Sequence, residues 1–190
     1  MDFVEFPKIA RYSREVIVTE KIDGTNAAVV IDLGVPGEHA LATIDGCHVY
    51  AQSRTRFINT DQDNFGFAKW VQDNAPELVK LGVGRHFGEW YGSGIQRNYG
   101  LTEKRFALFN TTRWNYRDGK LPKCVWMVPE LFRGNRDFLN IEYIMDELAK
   151  VGSVAVPGFM RPEGIVIYHT AAGIGFKKTI EKDDSPKSLK

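Results

Sequence analysis

The apolar residues of this chain fall in short runs rich in β-branched and aromatic side chains, and that pattern constrains the fold most. The runs lie at residues 16–18, 26–32, 41–44, 48–52, 87–91, 106–109, 125–131, 164–168 and 174–179. Gly, Asp or Pro separates them, as in Asp23-Gly24, Asp45-Gly46 and Asp118-Gly119, which is how strands joined by turns read. Asp45-Gly46, between the runs at 41–44 and 48–52, predicts a hairpin. Helix signals are fewer. Ile141, Ile144, Met145 and Leu148 recur at helical spacing, with Asn140 placed as N-cap and Gly152 just past the end. Residues 64–81 form a second helical candidate, broken or restarted at Pro76. The pattern predicts an α+β domain in which helices flank antiparallel sheets.

Composition excludes several classes. The chain of 190 residues is 43% hydrophobic and 12% aromatic, as a folded domain requires. Its net charge of +1 gives no global basic field, so contact with nucleic acid must come from local Lys and Arg. The longest apolar run, 27–31, is far too short for a membrane span, and residues 1–13 lack the apolar core of a signal peptide. Cys47 and Cys124 stand alone, in no metal or disulfide spacing, which fits a reducing interior. A cytoplasmic protein without a membrane partner is expected.

Four stretches carry chemistry. In Glu20-Lys21-Ile22-Asp23-Gly24-Thr25-Asn26, a lysine ends an apolar strand directly before a turn, so its amine can enter a cleft at a sheet edge. In Phe87-Gly88-Glu89-Trp90-Tyr91, Glu89 shares a strand face with two rings. An unpaired buried carboxylate is costly, so Glu89 must meet a cleft, a cation or a donor. Glu163 stands at the mouth of the strand Gly164-Ile165-Val166-Ile167, and the last strand contains Lys177-Lys178. Ser53-Arg54-Thr55-Arg56 adds a short basic run after the hairpin. Each alone is weak.

In this order they resemble the covalent nucleotidyltransferase superfamily of ATP-dependent ligases and capping enzymes, and within it the T4 RNA ligase 2-like family. Lys21-Ile22-Asp23-Gly24 is similar to the nucleophile motif KxDG. Residues 87–89 through Gly94-Ile95-Gln96, then Tyr99-Gly100 and Phe106-Ala107-Leu108-Phe109, resemble the third motif and its aromatic extension. The resemblance covers residues 19–179 and implies an antiparallel-sheet, ATP-grasp-like adenylation domain over 1–180. Residues 181–190 are then a charged C-terminal tail. No appended OB-fold is expected, because only residues 180–190 follow Thr179.

The resemblance also implies an activity. Lys21 would attack the α-phosphate of ATP and carry AMP as a phosphoramidate. The AMP then passes to a 5′-phosphate, which is sealed to a 3′-hydroxyl. A free lysine has a pKa near ~10.4, so making its amine neutral at pH 7 costs about 4–5 kcal/mol. Mg²⁺ and the motif lysine Lys177 are expected to offset Asp23, Glu163 and the ATP phosphates. By resemblance Lys21, Glu163 and Lys177 are catalytic, and Arg54 sits near the phosphates or ribose. Glu89 holds the ribose, Phe109 stacks on adenine, and Glu20 and Asn26 flank the nucleotide. Glu89 and Glu163 are the metal carboxylates. The family's last motif is usually K-x-K. Here the lysines are adjacent and strand alternation admits only one. Lys177 directly follows an apolar residue, as the family's first lysine does, so the resemblance favours it, with Lys178 in support. RNA ends or a nicked duplex are the expected substrates, with room for a partner protein that grips nucleic acid. A DNA nick ligase, a GTP-using capping enzyme and a non-catalytic nucleotide- or end-binding module stand as alternatives.

Overall fold

The computed structural model describes residues 1–181; of the charged stretch expected at 181–190, residues 182–190 lie outside the described residues. The strands are β1 (Glu15–Lys21), β2 (Thr25–Leu33), β3 (Ala42–Ile44), β4 (Cys47–Ser53), β5 (Phe57–Ile58), β6 (Gly84–Gly92), β7 (Lys104–Leu108), β8 (Val125–Met127), β9 (Glu130–Asn135), β10 (Gly164–His169) and β11 (Ile174–Thr179). The helices are α1 (Phe67–Asp73), α2 (Ala75–Leu78) and α3 (Ile141–Val151). The chain divides into two compact units, one of Met1–Lys21 with Pro129–Lys190 and the other of Ile22–Val128. No helix among the described residues is long and apolar enough to cross a membrane.

The first unit holds an antiparallel sheet in the order β11-β10-β1-β9. Its core packs α3 on one sheet face, where Val16, Val18 and Ile165 meet Leu139, Met145 and Leu148. The helix starts where the sequence placed its cap: Asn140 accepts a hydrogen bond from the Tyr143 N–H at 3.0 Å. Such a cap is worth about 1 kcal/mol.

The second unit holds the larger sheet, in the order β3-β4-β2-β6-β7-β8, with β5 paired to β4. One face of it packs on α1 and α2 through Val29, Ile31, Val49, Phe67, Leu78, Trp90 and Phe106. Asp45 and Gly46 both have positive φ, 49° and 79°, and close the two-residue β3–β4 hairpin. The helical candidate at 64–81 is interrupted at Asn74, with Pro76 in the first turn of α2, where its missing N–H costs nothing.

Two expectations change. The large sheet is not wholly antiparallel, because β7 and β8 run parallel. The residues between them, 109–124, make the crossover that parallel pairing needs. The apolar run at 125–131 is not one strand: β8 ends at Met127, and β9 begins after Val128 and Pro129 and joins the other sheet. Proline has no N–H for a ladder, which suits a point where the chain changes sheets.

Candidate active site

In the first unit, β1 sends alternate side chains to opposite faces of its sheet, and its last two residues part company. Glu20 follows Val16 and Val18 toward α3 and is buried, 1% exposed. Both of its oxygens are taken: the Ser153 hydroxyl donates to one at 2.5 Å, and the Val154 and Ala155 N–H groups donate to the other at 2.7 and 2.8 Å. Burial pushes the Glu20 carboxyl above its ordinary range, against these three hydrogen bonds. Lys21 projects to the other face, and its amine donates to Glu163 Oε2 at 2.5 Å. Glu163 is 2% exposed, whereas the Lys21 side chain keeps 20% of its surface open.

Gly164, next to Glu163, has a φ of 150°, and a Cβ there would stand 2.1 Å from the Lys178 carbonyl oxygen. Only glycine lets β10 and β11 close at that point. The register then sorts the two lysines. Lys177 is opposite Val166, which is opposite Thr19, so it lies on the Lys21 face. Lys178 is opposite Ile165, which is opposite Glu20, so it lies on the α3 face.

The second unit begins directly after Lys21 in the chain and holds a polar cluster of its own. Glu89 on β6 accepts from the Gly24 N–H at 3.1 Å and from the Asn26 side-chain amide at 2.9 Å, and is 7% exposed. A Cβ on Gly24 would stand 2.4 Å from the Trp90 carbonyl oxygen and within 3.0 Å of the Glu89 side chain. The glycine of the motif is therefore a close-approach residue. Asp23 is tied down twice, by the Arg97 guanidinium at 3.0 Å and through its N–H to the Tyr99 hydroxyl at 2.7 Å. Both partners stand in a loop where Gln96, Asn98 and Tyr99 all have positive φ, a costly conformation for side-chain-bearing residues.

Phe109 follows β7 and is 41% exposed, and its N–H donates to the Phe87 carbonyl at 3.0 Å. Its ring is open to a stacking partner. Arg54 is exposed in the turn between β4 and β5. Arg97 and Ser153 were not singled out from the sequence, and Tyr99 entered only within the third-motif resemblance, without its contact to Asp23. Each acts by holding a motif residue at a distance in the chain, and no local pattern signals that.

Residues 14–182 match the family model for RNA ligase. The chain belongs to the RNA ligase family. Solved structures of Naegleria gruberi RNA ligase share the fold of this family member. An apo variant superposes with a TM-score of 0.60 at 18% identity, covering 88% of this chain and 50% of that one. Variants with ATP and Mn, and with AMP and Mn, each give 0.58 at 18% identity and 88% coverage. This RNA ligase family member spans about half the length of those ligases, 49% and 50%. No curated protein matches the chain significantly.

Among the described residues no three His, Cys, Asp or Glu side chains converge to hold a metal. Glu89 and Glu163 each offer hard carboxylate oxygens, the donor type that a Mg²⁺ ion takes.

Proposed function

We propose that this protein is an ATP-dependent RNA ligase that works through a covalent lysyl-AMP. The observation that carries the reading is Lys21: a partly exposed amine, fixed by Glu163, inside the KxDG segment of a chain matching the RNA ligase family. The Naegleria ligase structures with ATP and Mn favour the same substrate and a divalent metal.

In the proposed first step the Lys21 amine gives up a proton and attacks the α-phosphorus of ATP. A P–N bond forms, the α–β phosphoanhydride breaks, and pyrophosphate carries the electron pair away. Glu163 aims the amine, and Lys177, on the same sheet face, supplies positive charge on the phosphate side. Arg54 serves the phosphates or ribose, Glu89 with Asn26 the ribose, and the Phe109 ring the adenine, a stack worth ~1–3 kcal/mol. Glu89 and Glu163 are the carboxylates that would hold Mg²⁺. When bound, the ion neutralises charge on the triphosphate. Glu20, closed off on the α3 side by three donors, acts by fixing the end of β1 and not by touching nucleotide.

In the second step a 5′-phosphate oxygen of RNA attacks the same phosphorus and frees Lys21. In the third, a 3′-hydroxyl attacks the activated 5′-phosphate and AMP leaves. RNA ends or nicked duplexes are the proposed substrates. Incubation with α-labelled ATP and Mg²⁺ tests the reading: label should become covalent on the wild-type protein and be absent from Lys21→Ala. Covalent label from GTP alone would replace it with a capping-type activity.

A further inference from the structure

The large sheet has a second face, opposite the one packed on α1 and α2, on which Glu89 and Ala107 are buried while Phe87, Phe109 and Trp126 are exposed. Register pairs Asn26 with Glu89, Glu89 with Ala107, and Ala107 with Trp126, so these four form one cross-strand row on that face. Strands are spaced ~4.8 Å apart, so the row brings Trp126 two strands, about 10 Å, from Glu89. Trp126 lies on β8, the last strand of the sheet, and is 40% exposed. Its neighbours Val125 and Met127 point the other way, into the core.

Trp126 is a costly residue to leave in water, and neither hydrophobic cluster includes it. One group does cover it: the Arg105 guanidinium lies over its ring, 4.3 Å from the centroid. Arg105 is itself braced by Glu103, at 2.6 and 2.7 Å. Phe87 and Phe109 stand on the same face, 52% and 41% exposed, joined by the Phe109 N–H to the Phe87 carbonyl. Arg85, paired with Val30, is exposed there too. Exposed rings, a planar cation and a further arginine on one surface match flat, anionic, repeating ligands.

We infer that Trp126 and Arg105 form a stacking site for an unpaired nucleobase of the polynucleotide substrate, separate from the position proposed for the adenine of ATP. The ligase reading supplies only the identity of the strand. Stacking of this kind accepts any base, so the site holds the strand without reading its sequence. It gives a chain of net charge +1 a local grip on nucleic acid.

The test uses fluorescein-labelled, 5′-phosphorylated octauridylate, which contains no adenine, and measures anisotropy without ATP. Trp126→Leu should bind about 5- to 150-fold more weakly, the range that one stacked base represents. Trp126→Phe, which keeps a ring, should stay within a few-fold of wild type. Octauridylate should quench wild-type tryptophan fluorescence, and that quench should be lost in Trp126→Phe. If Trp126→Leu does not fold by near-ultraviolet circular dichroism, Arg105→Gln replaces it, with weaker binding again expected. Wild-type affinity in Trp126→Leu or in Arg105→Gln overturns the site, as does a wild type that fails to bind octauridylate. Quenching by ATP but not by octauridylate also overturns it and assigns Trp126 to ATP. A protein that binds octauridylate through Trp126 yet takes no label from ATP leaves this site standing and removes the ligase reading.

Discussion

Lys21 and Glu163 lie 142 residues apart in the chain and meet in a 2.5 Å hydrogen bond. The carboxylate is almost fully buried and the lysine is not, so the acid is the fixed partner and the amine the movable one. Glu163→Gln keeps the shape and removes the charge that aims the amine. Misplacing a reacting group by about 1 Å can cost ~100-fold, or ~2.7 kcal/mol. The single-turnover rate of AMP transfer to Lys21 should therefore fall about 100-fold. A rate within twofold of wild type would show that Glu163 does not position the nucleophile.

Gly24 allows β6 to pass so close that a Cβ would stand 2.4 Å from the Trp90 carbonyl oxygen. That neighbour is backbone and cannot rotate away. Gly24→Ala should cost about 1–3 kcal/mol through overpacking, read as a lower urea midpoint with an unchanged slope. The same change should slow adenylation, because the Gly24 N–H holds Glu89.

Much of this was legible in the sequence, for identifiable reasons. Helix α3 declared itself because Ile141, Ile144, Met145 and Leu148 repeat at the helical period and Asn140 caps it. The Asp45-Gly46 hairpin did so because few residue pairs tolerate two positive φ angles. Alternation shows that Lys177 and Lys178 face opposite ways, and the register adds that Lys177 is the one on the sheet face of Lys21. Strand partners were not legible. An alternating run shows which side chains share a face and nothing of its neighbour, so the parallel β7–β8 pair and the change of sheets at Pro129 went unseen. The contacts of Arg97 and Tyr99 to Asp23 stayed hidden because they span 74 and 76 residues of chain.

The two adjacent lysines give a direct comparison. Lys177 shares the Lys21 face and Lys178 pairs with Ile165 on the α3 face. Lys177→Met should slow adenylation by about tenfold or more, in line with loss of a charge aimed at a transferring phosphate. Lys178→Met should have the smaller effect on the same labelling rate. The reverse order would mean that β11 presents its other face to the nucleotide.

Glu20 makes stability depend on pH. Burial raises its folded carboxyl above the ordinary 4.5, so the unfolded chain gives up that proton first. The contribution is fully present below pH 4.5 and is lost as pH rises through the raised folded value. Glu20→Gln cannot ionise. Its unfolding free energy should fall less than wild type's as pH increases from 4 upward, as followed by urea denaturation at several pH values. Parallel curves for the two proteins would mean that Glu20 carries no such shift.

The central claim is that Lys21 accepts AMP. Wild-type protein incubated with α-labelled ATP and Mg²⁺ should yield one acid-labile, hydroxylamine-sensitive label per chain, mapped by peptide mass spectrometry to Lys21 and discharged by pyrophosphate. Label on another residue, or undiminished label in Lys21→Ala, would contradict the account.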